Sequence, residues 1–246
     1  MSAASATPRA TSPRWTVLCD FDGTISPTDV TDSLLARFAR DGWQELERKW
    51  EAGRIGSRAC MVGQVALLDC SREELDEHLA TIAMDPDFKA FAAAVQASGS
   101  SLAIVSDGLD AAIVSILSAA SMPTVPVYAS RLVQTGPRSW ALEFPHARKD
   151  CVSGGATCKC EHARAGARAE RPVMMIGDGA SDFCVAAASD VTFARDKLLA
   201  HCVVEGIAHR PAANFREALC AWHELAATEH AHTNSIPEKV TADDRG

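Results

Sequence analysis

Short apolar runs alternate with amphipathic stretches along this chain, and the alternation begins at Trp15. Val17-Leu18-Cys19 is apolar and β-prone, lies between a Pro-containing segment and the turn residue Gly23, and reads as a buried strand. Beyond it the apolar residues fall at helical spacing. Helices are predicted over 30–40, 43–51, 57–68, 71–82 and 87–97, with Trp43, Leu46 and Trp50 on one face of the second. Ser71-Arg72-Glu73-Glu74 has the form of a helix N-cap with an acidic third position. Met84-Asp85-Pro86 reads as an exit hinge, because Pro punctuates helices.

The strand signal then returns. SLAIVSD, 101–107, is the second strong strand, ended by Gly108 and followed by a helix over 109–119. A weaker strand is predicted over 126–130, and a hairpin within 131–145 with Trp140–Phe144 as one arm. Residues 154–168 read mainly as helix and 172–178 as a buried strand. A helix from Gly179 to about Ala188 leads to a last short strand over 191–194, and helices over 196–205 and 213–227 close the pattern. Strands alternating with helices place the chain in the α/β class, with a mostly parallel sheet covered on both faces. The expected organisation is a disordered tail over 1–14, a core over 15–32 and 86–227, a small helical insertion over 33–85, and a polar disordered tail over 228–246.

Composition narrows the partners more than the fold. An apolar fraction of 47% in 246 residues is ample for a core. A formal charge of −8, a single Tyr and no basic cluster interleaved with aromatics argue against nucleic acid and anionic membranes as partners. No apolar run approaches the length that spans a bilayer. The nine cysteines are scattered and odd in number, which fits reduced thiols better than a disulfide framework. With no secretory stretch read in the N-terminal residues, a cytoplasmic location is expected.

Candidate chemistry gathers at strand ends. Asp20 and Asp22 follow the first strand, and alternate residues of a strand point the same way, so both carboxylates can converge. Converging carboxylates repel unless a cation sits between them, and hard oxygen ligands favour Mg2+. Ser106, ahead of a helix, can form an anion site from its hydroxyl and the helix N-terminus. Asp178 ends a third strand. Ligands of open α/β sheets bind beyond such ends.

Asp20-Phe21-Asp22-Gly23-Thr24 resembles the first motif of the haloacid dehalogenase-like superfamily, DxDx(T/V), and matches it fully. Ser106-Asp107-Gly108 resembles the second motif, and Gly177-Asp178-Gly179-Ala180-Ser181-Asp182 the fourth, GDGxxD. The resemblance implies a Rossmann-like core with a helical-bundle cap and a Mg2+-dependent phosphatase acting on a small phosphorylated metabolite. By it, Asp20 is the nucleophile that becomes an aspartyl phosphate, and Asp22 the general acid and base. It gives Mg2+ to Asp20, Asp22 and Asp178, and the phosphate to Ser106, Asp107, Gly108 and a lysine. Asp182 would support the metal's water shell or hold that lysine. Lys159 is preferred to Lys149 because it opens a helix leading into the strand over 172–178.

The insertion after the first motif is similar to the cap of phosphoserine phosphatases. Two positions depart from them: Asp29 stands where they carry Glu, and Gln64 where they carry a carboxylate-binding Arg. A closer resemblance is to methionine-salvage phosphatases acting on 2-hydroxy-3-keto-5-methylthiopentenyl-1-phosphate. It rests on DFDGTISPTDVTD, Trp50, Gly53-Arg54-Ile55, Cys60, IVSDGLD at 104–110, Cys158-Lys159 and Phe193–Leu199. A phosphoserine phosphatase or a phosphotransferase would keep every motif. A non-catalytic phosphometabolite- or zinc-binding protein is the alternative of another class, with Cys151, Cys158, Cys160 and His162 as candidate ligands. The single residue between Cys158 and Cys160 is shorter than zinc pairs usually show.

Overall fold

The computed structural model describes residues 14–122, 124–151 and 153–233. Most of the N-terminal tail expected over 1–14, and residues 234–246 of the C-terminal one, lie outside them. A seven-stranded sheet runs in the order β4-β3-β2-β1-β5-β6-β7. Its strands are β1 (Thr16–Cys19), β2 (Ser101–Leu109), β3 (Val127–Gly136), β4 (Ser139–Glu143), β5 (Val173–Gly177), β6 (Val191–Ala194) and β7 (His209–Pro211). All neighbours are parallel except the β3–β4 hairpin. β1 is central because its side chains are buried on both faces. Val17 and Cys19 enter one core with Ile104, Met174 and Ile176. Leu18 enters a second core with Val105 and Met175.

Among the described residues ten helices flank or extend this sheet: α1 (Val30–Phe38), α2 (Trp43–Glu51), α3 (Ser57–Val65), α4 (Arg72–Leu79), α5 (Phe88–Ala97), α6 (Asp110–Ala119), α7 (Lys159–Arg168), α8 (Phe183–Ala186), α9 (Asp196–Glu205) and α10 (Phe215–Thr233). Aromatic packing closes one face: Phe88 and Phe91 of α5 meet Phe215 of α10 at 4.8 and 5.3 Å between ring centroids. Each such burial contributes about 1.5–3 kcal/mol. Cys160 and Ala163 of α7 and Val185 of α8 cover the other face. No helix of the described residues is long and apolar enough to cross a membrane.

Four helices, α1–α4, stand between β1 and α5. The α4 start has the predicted capping box, with Ser71 accepting from the Glu74 amide and Glu74 accepting from the Ser71 amide. Asp85, buried at the exit of this segment, accepts from the amides of Asp87 and Phe215 and so fixes the exit to α10. The segment is tied to the hairpin as well. Buried Trp140 donates its indole N–H to the Cys70 carbonyl at 3.0 Å, and Arg138 pairs with Asp69 and Glu74. The exposed pairs contribute little, whereas Trp140→Phe leaves a buried carbonyl without its donor. That substitution is expected to lower stability by about 2 kcal/mol, read as a lower urea midpoint.

Several predicted boundaries shift. β2 continues through Gly108 to Leu109, with a register irregularity against β3 between Val105 and Leu109. Residues 154–158 are not helical: Gly154 takes φ +62°, and α7 begins only at Lys159. A short 3-10 turn, Ala180–Asp182, and the four-residue α8 replace the longer helix expected there. β7 follows the strand expected to be last, and α10 runs to Thr233, so residues 228–233 are helical.

Candidate active site

The chain reverses its direction across the sheet at β1: β2 and β3 build out on one side, then β5 and β6 on the other. Such a switch opens a crevice at the strands' carboxyl ends. Register sets what meets there. Cys19 is level with Ile104 of β2 and Ile176 of β5. Asp20, Ser106 and Asp178, each one or two residues further on, therefore emerge together. A cavity of about 680 Å³ lies over them and is lined by Asp20, Asp22, Ser106, Asp107, Gly108 and Asp178 at this end.

Asp20 is held from two directions. The Phe21 amide donates to its Oδ1 at 2.7 Å, and the Lys159 ammonium lies 2.7 Å from its Oδ2. Lys159 is buried and also donates to Asp182 Oδ1 at 2.6 Å and to Ser181 Oγ at 3.1 Å. Burial alone would pull its pKa down. The Asp182, Asp20 and Asp107 carboxylates outweigh that and raise it, so the ammonium stays charged. Lys149 is exposed and pairs with none of these aspartates.

Asp22 sits in a different environment. Its Oδ1 accepts from the Val30 amide at 2.9 Å, at the start of α1. Its Oδ2 lies against Gly108, where a Cβ would overlap it. Burial first, then the charge of Asp29, push its carboxyl well above the usual range, against the pull of the Val30 hydrogen bond. A carboxyl so raised can hold a proton that an ordinary one would lose.

Oxygens of Asp20, Asp178 and Asp182 lie within 4.8 Å of one another, the spacing of a cation site. Asp182 is fully buried against Lys159 and does not line the cavity, which leaves Asp20 and Asp178 to face an ion. Thr24 Oγ1 orients Asp178 by donating to its Oδ1 at 2.8 Å. The close approach needs glycine at position 23: φ is +67°, and a Cβ there would overlap the Asp178 carboxylate. These residues fit a hard divalent cation, while the Asp22 carboxylate is not in the group.

The other expected residues are placed as follows. Gly108 donates its amide to Ser106 Oγ at 3.0 Å. The Asp107 carboxylate accepts from the Thr157 amide at 2.8 Å and so pins the loop just before Lys159. Asp29 caps α1 by accepting from the Asp32 amide, and Gln64 donates to Glu47 Oε2 at 2.7 Å; both line the cavity. The Cys151, Cys158, Cys160 and His162 group does not converge on a metal: among the described residues the aspartate group is the only such cluster. Cys160 instead contacts Cys184, and His162 stacks on Tyr128.

Residues that the sequence reading passed over join the site. Ser181 bridges Lys159 and Asp20, Thr24 orients Asp178, and Arg195 donates to the carbonyls of Gly23 and Thr24. Thr24 and Ser181 stand inside the motifs already singled out. Asp32 and Glu47 line the far wall. Partial burial, then the charges of Asp29 and Glu47, push Asp32 up to about 6. Its folded value exceeds the unfolded one, so the folded chain takes up the proton first and loses stability as pH rises through about 6. Asp32→Asn is therefore expected to raise Tm at about pH 7.5 and to leave it unchanged near pH 3, below both values.

Comparison with known proteins agrees with this geometry. The family model of haloacid dehalogenase-like hydrolases matches residues 17–187. The chain is 30% identical over 202 residues to the 2-hydroxy-3-keto-5-methylthiopentenyl-1-phosphate phosphatase of an Exiguobacterium species, covering 81% of this chain and 93% of that one. It is 30% identical over 212 residues to the Geobacillus kaustophilus protein of the same name, covering 85% and 96%. A substrate-bound phosphoserine phosphatase shares the fold at a TM-score of 0.64 and 18% identity, over 86% of this chain and 99% of that one. The chain belongs to the haloacid dehalogenase-like hydrolase family, as one of its phosphatases.

Proposed function

We propose that the protein is a Mg2+-dependent phosphomonoesterase that passes the phosphoryl group through Asp20. One observation carries the reading: two aspartates one residue apart sit in opposite electrostatic settings. Asp20 lies against a buried ammonium, and Asp22 lies in a site that favours its protonated form. That division suits a nucleophile and a general acid.

Asp20 attacks phosphorus, and the ester oxygen leaves. Asp22 gives that oxygen its proton, from the Oδ2 that the Val30 amide does not occupy. The resulting carboxylate then takes a proton from the water that attacks the aspartyl phosphate. Ser106 Oγ, held by the Gly108 amide, would donate to a phosphoryl oxygen, with the Lys159 charge behind Asp20. Mg2+ would be held by Asp20 and Asp178 and would offset the negative charge of the phosphoryl group. Asp182 and Ser181 keep Lys159 in position. Residues 33–85 act as the cap over a core formed by 15–32 and 86–227. Its helices α2 and α3 supply the cavity's outer wall through Glu47, Trp50, Cys60 and Gln64, and so limit water. The likeness to the salvage-pathway relatives supports 2-hydroxy-3-keto-5-methylthiopentenyl-1-phosphate as a substrate.

The test is hydrolysis of p-nitrophenyl phosphate and of that ester, with Mg2+ and with EDTA. Turnover that EDTA removes and Mg2+ restores is the expected result. Undiminished turnover after exhaustive chelation would overturn the metal dependence, and none under any condition would overturn the esterase reading.

A further inference from the structure

Carboxylates line both ends of the cavity, and the ends differ in whether a cation faces them. At the strand tips Asp20 meets the Lys159 ammonium, and Lys197 lines the cavity beside Asp178, whose carbonyl accepts from the Leu198 amide. The far wall, made by α1, α2 and α3, presents Asp29, Asp32, Glu47, Glu51 and Gln64. None of these four carboxylates has an ion-pair partner among the described residues. Gln64 is 3% exposed, spends its amide nitrogen on Glu47, and has no donor to its own carbonyl oxygen among the described residues. That oxygen opens to the cavity, where a ligand that donates can meet it.

We propose that the far wall selects phosphomonoesters by the charge of the leaving group. Leaving groups that donate hydrogen bonds and carry no negative charge, amino alcohols first and neutral polyhydroxy or keto alcohols next, are taken. Those bearing a carboxylate are rejected. The inference rests on the esterase reading above and adds its specificity. The physical reason is direct. An anionic leaving group must stand among unpaired carboxylates in a half-enclosed site, where each like charge is worth far more than in bulk water. An ammonium there relieves the same repulsion. Trp50, on the same wall, offers an apolar face that a cation also tolerates.

Matched esters test this without a standard substrate. Glycerol 3-phosphate differs from 3-phosphoglycerate only by a hydroxymethyl in place of a carboxylate, and phosphoethanolamine and phosphoglycolate form a second pair. The uncharged or cationic member is expected to exceed the carboxylate member in kcat/KM by about tenfold or more. In Asp32→Asn and in Glu47→Gln each ratio, taken within one protein preparation, should fall several-fold. Asp32→Asn breaks no side-chain hydrogen bond, so it remains informative if Glu47→Gln disturbs Gln64. Equal rates within each pair, or ratios that neither variant moves, would overturn the charge selection while leaving a working esterase. The same pairs are compared by ligand-induced shifts in Tm. A larger shift for the uncharged member with no hydrolysis supports the selection and overturns the esterase reading. Equal shifts without hydrolysis overturn both.

Discussion

Asp20→Asn is expected to remove turnover of p-nitrophenyl phosphate by a factor on the order of 10⁴ or more while the chain stays folded. The side chain keeps its size and can still accept from the Phe21 amide through its carbonyl oxygen. What it loses is the nucleophilic oxygen, and it places an amide N–H₂ opposite the Lys159 ammonium that Asp20 Oδ2 meets at 2.7 Å. Lys159 retains Asp182 at 2.6 Å, so its charge remains paired and the loss of stability is modest, about 1–2 kcal/mol. The result separates from that of Asp22→Asn. Nitrophenolate leaves without a proton, so Asp22→Asn still forms the aspartyl phosphate and fails chiefly at its hydrolysis. Acid quenching with a radiolabelled substrate should therefore find base-labile phosphate accumulating on Asp22→Asn and none on Asp20→Asn. Substantial turnover by Asp20→Asn, with deamidation excluded by mass, would remove Asp20 from the nucleophile's role.

Much of this site was legible because its determinants are local. β1 and its acidic turn, the Ser106 and Asp178 strand ends and the Ser71 capping box are each encoded within a few consecutive residues, and the structure brings the three strand ends to one crevice. What escaped depends on long-range geometry. β7 is three residues ending in Pro211, too short for a period and paired only because β6 lies beside it. Residues 154–158 looked helical by spacing, yet the Asp107 carboxylate captures the Thr157 amide fifty positions away and holds an open loop. The cysteine group looked like a metal site because its members are close in sequence. In space Cys160 turns to Cys184 on α8 and His162 to Tyr128 on β3. The far wall was legible only at Asp29 and Gln64, for the converse reason: Asp32, Glu47 and Gln64 belong to three helices and share no motif. In sequence Gln64 stands only as the loss of an arginine. In place it donates to Glu47 and opens its carbonyl oxygen to the cavity, which turns an absence of charge into a specific environment.

Lys159→Met tests the other half of the charge arrangement, and its expected effect falls on both stability and activity. The substitution leaves Asp182, Asp20 and Asp107 facing one another with no cation among them. Breaking a buried pair from one side costs about 3–5 kcal/mol, because the remaining charge stays desolvated. The pH dependence identifies that cause. In the native chain the lysine's folded pKa is raised, so its contribution is complete below the ordinary lysine value near 10.4 and is lost only above it. Between about pH 5 and 8 it therefore adds no slope. Without Lys159, burial and the neighbouring carboxylates raise Asp182 further than they already do. The folded variant then takes up a proton that the unfolded chain releases, and stability rises as pH falls. The deficit relative to the native chain should thus shrink from pH 8 to pH 5. Adding Asp182→Asn to Lys159→Met removes the orphaned charge and is expected to recover part of the stability, with turnover still lost. Recovery of both would mean that Lys159 serves only to hold Asp182. A deficit that neither pH nor the second substitution reduces would mean that packing of the lysine's alkyl chain, and not its charge, holds this part of the core.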